Sequence, residues 1–229
     1  MKASTRVLGI VSVALGAASA PTWADNDSRD SLSELSAQWW QWALSIPPAS
    51  SPFNDLTGAN CVIGQRGPVW FLVGATSSAQ VQRNCTVPEG VSLFFPIINN
   101  FNLNTPNVCG SDATSLTVPQ LRALVAPFAD AATGLAATLD MKAIKHIRRV
   151  RSVPFSASFP ADNIFVAGCA PGGFPAGTYS PGVDDGHYVK LDGLSPGSHT
   201  LNFRGASGAF SLNVTYILNV VPVPKQARD

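Results

Sequence analysis

Charged residues are scarce in this chain of 229 residues, because lysine, arginine, aspartate and glutamate together make up only 13% of it. The formal net charge at pH 7 is +1. A chain this close to neutral, without a recognised nucleic-acid-binding motif, is not expected to bind nucleic acid. Glycine and proline are plentiful by contrast, with 19 and 18 residues. Few charges and many turn-forming residues favour a β-rich exported protein over a helical cytosolic one.

Long apolar runs are also rare. The one sustained run, Val7–Ala20, follows Lys2 and Arg6 and is shorter than the roughly 20 residues that a membrane-spanning helix needs. A basic start, a short apolar run and small residues after it are typical of a secretory signal peptide, which we expect to be cleaved after Ala24. The sequence therefore predicts an exported protein, periplasmic or secreted, with no transmembrane anchor and with a single domain over residues 25–229.

Motifs that would commit the chain to one chemistry are missing as well. There is no Gly-x-Ser-x-Gly nucleophile elbow and no glycine motif that cradles phosphate. The only glutamates, Glu34 and Glu89, are accounted for by a helix cap and a turn. A scattered Ser-His-Asp triad stays open, because triads are recognised in space and not along the chain. We therefore assign no catalytic residue and no cofactor, and we expect a protein that is not an enzyme.

The chain has four cysteines, Cys61, Cys85, Cys109 and Cys169. An even number in an exported chain indicates disulfides, and four cysteines allow three pairings. We favour Cys61 with Cys85, which bracket a candidate strand and its return, and Cys109 with Cys169, which close a central insertion. No two cysteines have the close spacing of zinc ligands, so the sequence predicts no metal site.

The tryptophan-rich segment AQWWQWALSIPP predicts an amphipathic helix. Residues 31–34, Ser-Leu-Ser-Glu, match a capping box, so the helix should begin there. The pair Pro47-Pro48 should end it. At 100° per residue, Trp39 and Trp42 fall within one apolar stripe and should cover a sheet face. Trp40 lies at the edge of that stripe, where it either packs as well or faces a ligand.

Downstream of the helix, short β-like runs alternate with turn residues. The predicted strands are Pro68–Gly74, buried on both faces, and Asn84–Val87, Val91–Ile98, Leu135–Leu139, Ile144–Val150, Phe155–Phe159, His187–Leu191, His199–Phe203 and Phe210–Val220. Long loops are predicted at Asn99–Ser115 and Ala167–Pro181, and a short helix at about 117–131. The turns at 88–90 and 194–197 predict hairpins. These elements predict a mainly β fold, an antiparallel β-sandwich that is Ig-like or jelly-roll-like, with an N-terminal helix and a short helical insertion.

An adjacent pair of acids, Asp184-Asp185, stands in a predicted loop between Tyr179 and His187. Carboxylates beside aromatic residues occur in sugar and calcium sites, although adjacent aspartates with glycine are equally ordinary turn formers. We take Tyr179, Asp184, Asp185, His187 and Trp40 as candidate ligand-binding residues, and the ordinary turn stays open as the alternative.

Two histidines, His187 and His199, share the inward parity of their predicted strands. If Leu191 pairs with His199 in the predicted hairpin, His187 lies about 13 Å away at roughly 3.3 Å per residue. That distance is too long for two ligands of one metal, so we expect both histidines to bond to backbone.

Five positive charges, Lys142, Lys145, Arg148, Arg149 and Arg151, follow one another without an acid among them. Signal-peptide removal lowers the 15 basic residues to 13, so without this run the remainder carries 8 minus 14, or about −6. Lys145, Arg148, Arg149 and Arg151 are therefore candidate contacts to an anionic glycan, lipid headgroups or a partner protein. The alternative is a solvated edge strand protected by its charges.

Several short motifs resemble those of a group of secreted bacterial proteins with no assigned activity. They are Trp39-Trp40-Gln41-Trp42, Gly58-Ala59-Asn60-Cys61, Gly64-Gln65-x-Gly67-Pro68-Val69-Trp70-Phe71-Leu72, Cys85-Thr86-Val87-Pro88-x-Gly90, Ser195-Pro196-Gly197-x-His199-Thr200 and Val214-Thr215-Tyr216. The resemblance extends over nearly the whole chain after the signal peptide. It implies export and a shared fold, and it implies no catalytic residue.

The sequence thus predicts an exported, non-catalytic binding or structural protein of the cell envelope or extracellular space. The expected partner is a glycan or an envelope protein. The alternative is a secreted hydrolase acting on an envelope or extracellular polymer, with Tyr179, Asp184, Asp185 and His187 near one loop.

Overall fold

The computed structural model describes residues 26–76, 78–165, 169 and 173–223, and the predicted signal peptide, residues 1–24, lies outside them. Over the described residues the chain forms two α-helices, a short 3-10 helix at Pro48–Ser50 and ten strands. The helices are α1 (Asn26–Leu44) and α2 (Val118–Asp130). The strands are β1 (Val69–Phe71), β2 (Gln80–Pro88), β3 (Ser92–Leu103), β4 (Ala132–Leu139), β5 (Lys142–Ala143), β6 (Arg148–Arg151), β7 (Phe155–Phe159), β8 (Gly177–Leu191), β9 (Gly197–Ser207) and β10 (Phe210–Val221).

The strands form two sheets of five strands each. Sheet A has the order β1-β3-β8-β6, with β7 pairing the first part of β8. Sheet B has the order β2-β10-β9-β4-β5. The pairs β1–β3 and β2–β10 are parallel and the other pairs are antiparallel. The predicted mainly β sandwich with an N-terminal helix and a helical insertion is confirmed, with one parallel pair in each sheet.

The main core lies between the two sheets. Phe95 and Val189 of sheet A meet Phe203 and Leu218 of sheet B there, and the ring centroids of Phe95 and Phe203 are 4.7 Å apart. Each large apolar side chain that is fully buried contributes about 1.5–3 kcal/mol. This layer is therefore a major source of stability of the fold.

The two helices cover the rest of sheet A, one on each face. On the outer face, α1 packs its tryptophans against Phe94 and Tyr188. On the inner face, α2 packs Leu121 and Val125 against Val183. The middle of β8 is thus enclosed on both faces, and its backbone from 182 to 186 is continuously buried.

Strand β10 shows the predicted alternation. Leu212, Val214, Tyr216, Leu218 and Val220 are buried, while the residues between them are half-buried or exposed. Side chains of successive strand residues point to opposite faces. Sheet B therefore has one face in the core and one face towards solvent.

Both predicted hairpins are wrong. The turn at 88–90 joins β2 of sheet B to β3 of sheet A, and the turn at 194–197 joins β8 of sheet A to β9 of sheet B. Turn residues reverse the chain, but they do not decide whether the strands on either side pair with each other. Each of these strands instead pairs with a strand distant in sequence, for example β2 with β10.

Other strand predictions differ in their limits. The predicted strand Pro68–Gly74 shrinks to β1, an edge strand whose three residues are half-buried instead of buried on both faces. Strand β3 runs into the predicted loop Asn99–Ser115, and β8 begins inside the predicted loop Ala167–Pro181. The predicted strand Ile144–Val150 is replaced by β5 and β6. Pairing partners override weak local propensity in these stretches.

The helices follow the sequence more closely. The predicted insertion is α2, in which Oε1 of Gln120 accepts a hydrogen bond from the backbone N–H of Thr117 at 2.9 Å, as a capping box requires. The predicted start of α1 at Ser31 is wrong, because the helix already includes Asn26. No helix among the described residues is both long and apolar enough to cross a membrane.

Both disulfides join the predicted pairs. The Cα–Cα distances are 5.9 Å for Cys61–Cys85 and 5.0 Å for Cys109–Cys169, within the usual range for a disulfide. The first bond ties the loop after α1 to β2, the outermost strand of sheet B. In the same loop the carbonyl of Thr57 accepts a hydrogen bond from the backbone N–H of Asn84 at 2.7 Å. This loop therefore covers an otherwise open sheet edge.

Removal of the first disulfide should destabilise the protein. The bond closes a loop with a sequence separation of 24, for which the chain-entropy model gives about 3 kcal/mol. We expect the double variant Cys61→Ala, Cys85→Ala to lose this amount in urea unfolding measured by circular dichroism. A change below about 0.5 kcal/mol would contradict the role assigned to this bond in holding the β2 edge.

Candidate functional site

The three clustered tryptophans anchor α1 to three different parts of the chain. Nε1 of Trp39 donates a hydrogen bond to the carbonyl of Leu72 at 2.9 Å, and Nε1 of Trp42 donates to the carbonyl of Ile63 at 2.9 Å. Nε1 of Trp40 donates to Oδ1 of Asp184 at 2.8 Å. All three side chains are buried. The tryptophans therefore dock the helix onto sheet A, and Trp40 links it to the candidate acid pair.

Asp184 is completely buried beneath α1, with 0% of its surface exposed. Its second oxygen accepts a hydrogen bond from Oη of Tyr188 at 2.8 Å, and Tyr188 in turn accepts one from Nδ2 of Asn99 at 3.0 Å. Burial raises the pKa of Asp184 to about 8, against the lowering effect of the hydrogen bonds from Trp40 and Tyr188. This carboxyl group therefore stays protonated at pH values at which an ordinary aspartate is ionised.

Asp185 points to the other face of β8, where it is also buried. Arg149 donates two hydrogen bonds to it, from Nε to Oδ1 and from Nη2 to Oδ2, both 2.9 Å long. Nε of Arg151 approaches Oδ2 at 3.2 Å. These bidentate bonds raise the pKa of the Arg149 guanidinium. Arg149 also pairs with Asp130 of α2, so the same side chain joins β6, β8 and α2.

The predicted loop at the acid pair is a central strand instead, and the glycine after it has a steric role. A Cβ on Gly186 would lie 2.4 Å from the Cβ of Asn99 on the neighbouring strand β3. Only glycine fits at this distance. The Asp-Asp-Gly sequence that suggests a turn therefore serves a close approach of two strands.

Arg122 of α2 completes the group, which we call the β8 charge cluster: Asp184, Asp185, Arg122, Arg149 and Arg151. Nη2 of Arg122 donates to the carbonyl of Ser152 at 2.7 Å. Burial is the main cause that lowers the pKa of Arg122, with a further contribution from Arg151. Sequence reasoning misses Arg122, because this residue lies more than fifty positions before β8 and nothing local links them.

The remaining candidate residues do not join the β8 charge cluster in one pocket. Tyr179 packs against Phe159 and Phe174, with centroid distances of 5.7 and 5.0 Å. It precedes Asp184 by five strand positions, or about 16 Å. Nε2 of His187 lies 3.1 Å from the carbonyl of Ala129.

The histidine pair is separated by the sandwich, because His187 lies in sheet A and His199 in sheet B. The hairpin distance predicted for them therefore does not apply. Nδ1 of His199 contacts Oδ2 of Asp140 at 2.8 Å, and this bond raises the pKa of His199 and lowers that of Asp140. Among the described residues no group of three or more metal-binding side chains has the arrangement to hold an ion.

The basic run divides into two parts. Arg149 and Arg151 face Asp185, as described above, in the edge strand β6. Lys142, Lys145 and Arg148 are exposed. The first part is therefore bonded to Asp185, although 61% of the Arg151 side chain is exposed, and the second part makes no ion pair among the described residues.

An open groove of about 580 Å³ lies between α1 and the chain that leads into β1. Its walls are mostly apolar, and the exposed side chain of Arg66 stands at its border. The apolar lining includes Leu35, Trp42, Val69 and Phe71. The sequence does not single out this groove, because its two walls come from a helix and a loop with no shared motif.

The loop wall of the groove is held in shape by Gln65. Its side-chain amide donates to the carbonyls of Cys61 and Phe71 and accepts from the backbone N–H of Phe71, at 3.0, 2.8 and 2.9 Å. Gly64 has φ +68°, and a Cβ there would lie 3.0 Å from Nε1 of Trp42. The groove is therefore formed in advance of any ligand.

Comparisons with known proteins identify no family for this chain. No protein-family model matches the chain, and no curated protein matches it. A solved structure titled "Solution Structure of Amebosin" is similar at 15% sequence identity and a TM-score of 0.22, over 63% of this chain and 98% of that chain. A TM-score this low carries no argument about fold or function.

Asp184→Asn should remove a pH dependence of stability. The folded pKa of Asp184 is about 8, above the ordinary value of about 3.9, so the folded state holds one more proton than the unfolded state between these values. Stability should therefore fall by about 1.4 kcal/mol per pH unit as pH rises from about 5 to about 7.5. The Asn variant should lose this slope.

Urea unfolding of wild type and Asp184→Asn at pH 5 and pH 7.5 gives the change in unfolding free energy of each protein. The contribution of His199 is the same in both and cancels in the comparison. The matched control is Asp162→Asn, at an exposed position, which should keep the wild-type slope. Parallel pH profiles for wild type and Asp184→Asn would show that Asp184 is ionised in the folded protein.

Proposed function

We propose that this chain is an exported, non-catalytic binding protein of the cell envelope or extracellular space, which holds a small amphipathic anion in the groove between α1 and β1. One contrast carries the proposal. The groove is open and bordered by the exposed Arg66, whereas Asp184 and Asp185 are buried and already bonded.

The chemistry of the groove suggests the ligand class. Its wall on α1 runs from Leu35 to Trp42, about 10 Å at 1.5 Å per residue, and continues to Ser45 just after the helix, which suits an extended alkyl chain. None of its described lining residues is acidic, and the guanidinium of Arg66 can bind a carboxylate or phosphate group. The volume of about 580 Å³ lies within the range of small-molecule sites.

The two disulfides support export. The disulfides Cys61–Cys85 and Cys109–Cys169 are of a kind that persists outside the reducing cytosol. No described helix could span a membrane. The disulfides fit a protein that leaves the cytosol.

The alternative of a hydrolase using Asp184 and Asp185 draws on the raised pKa of Asp184, since perturbed carboxyl groups often mark catalytic sites. A general acid must reach its substrate within hydrogen-bond distance. Asp184 is enclosed by α1, and both its oxygens accept hydrogen bonds from Trp40 and Tyr188. The groove is therefore the better supported site.

Binding of dodecanoate, measured by isothermal titration calorimetry, tests the proposal. We expect Arg66→Gln to weaken binding about five-fold, equivalent to about 1 kcal/mol for an exposed ion pair. The matched control is Arg204→Gln, an exposed arginine on β9, which should leave the affinity unchanged. Absence of binding at millimolar dodecanoate, or an equal loss in both variants, would rule out this site.

A further inference from the structure

The turn between β4 and β5 has an unusual residue at its tip. Leu139 pairs with Lys142, so only Asp140 and Met141 form the turn. Both have positive φ, 49° and 64°. A two-residue hairpin turn with positive φ at both positions is normally occupied by Asn-Gly or Asp-Gly, because the second position disfavours a side chain. The backbone conformation at that position is therefore unfavourable for methionine.

Packing within the chain does not compensate for this conformation. The side chain of Met141 is 96% exposed, the highest value among the exposed large hydrophobic residues of the described chain. The turn is instead held by Asp140, whose Oδ1 accepts from the backbone N–H of Thr200 and whose Oδ2 contacts His199, both at 2.8 Å. The fold thus holds rigidly a turn that projects an apolar side chain into solvent.

The chain that follows Met141 carries three positive charges. Lys142, Lys145 and Arg148 follow within seven positions, and all are exposed. Among the described residues none of the three contacts a carboxylate, whereas Arg149 and Arg151 are bound to Asp185. The nearest acid, Asp140, is engaged with His199. An apolar tip followed in the chain by exposed cations is complementary to a surface that is anionic outside and apolar beneath.

We propose that the β4–β5 turn docks the protein onto an anionic phospholipid bilayer, with Met141 inserted among the acyl chains and the exposed cations that follow it in the chain, Lys142 first, against the lipid phosphates. Insertion buries the apolar side chain that the fold leaves in water. The cations gain from the negative surface potential of the bilayer. This docking is independent of the ligand proposed for the α1–β1 groove, and it needs no membrane-spanning segment.

Sedimentation with lipid vesicles tests the proposal on protein in its natively processed form. Vesicles of phosphatidylethanolamine and phosphatidylglycerol at 3:1 are compared with vesicles of phosphatidylcholine in 0.1 M NaCl. We expect binding to the anionic vesicles only, weaker at higher salt. Lys142→Gln should lower the partition coefficient about five-fold.

Met141→Gly is the decisive variant, because glycine relieves the backbone and removes only the apolar side chain. We expect about five-fold weaker binding together with an unfolding midpoint that is unchanged or higher. The control is Leu124→Ser on α2, an exposed leucine with 53% of its surface accessible, which should bind like wild type. Failure of wild type to pellet with anionic vesicles would overturn the proposal and point to a soluble polyanion or protein partner. Unchanged binding of Met141→Gly would also overturn it, because the vesicles would then be bound by charge alone without insertion of Met141.

Discussion

Two adjacent carboxyl groups in a strand that is covered on both faces impose the constraint on which the rest of the structure depends. Successive side chains of a strand point to opposite faces, so Asp184 and Asp185 need separate partners. A buried carboxyl group without partners costs several kcal/mol. Trp40 supplies the partner on the outer face and so fixes where α1 docks. Arg149 supplies it on the inner face and joins β6 to α2.

The fold class was predictable wherever the signal is local. The alternation in β10 and the capping box of α2 each describe a structure that is specified by neighbouring residues. The disulfide pairs, 24 and 60 positions apart, were predictable because four cysteines allow only three pairings. Hairpin pairing was not predictable, because the turns at 88–90 and 194–197 cross between sheets. The prediction of a loop at the candidate site was wrong for the same reason. Asp184-Asp185 with glycine has the composition of a turn, and the partners that make it a strand, Trp40 and Arg149, are 144 and 36 positions away.

Polar groups that are bonded inside the fold can be distinguished from those that stay exposed to solvent. The residues that sequence reasoning singles out for chemistry are mostly bonded inside the molecule, His187 to the Ala129 carbonyl and Asp185 to arginine. Among the described groups left at the surface are Arg66 beside an apolar groove and Met141 with the exposed cations that follow it in the chain. These surface features are suited to adhesion and capture, which need complementary shape and charge more than a reactive centre.

The hydrogen bond between Trp40 and Asp184 joins a residue made early in synthesis to one made late. A ribosome releases its product from the amino end, so the indole of Trp40 emerges 144 residues before its carboxyl acceptor. Throughout that interval the tryptophan-rich helix has no sheet to lie on and exposes a large apolar face. Contacts this distant in sequence make folding slow. An unfinished chain of this protein therefore lacks the docking surface of its first helix until most of β8 has been made.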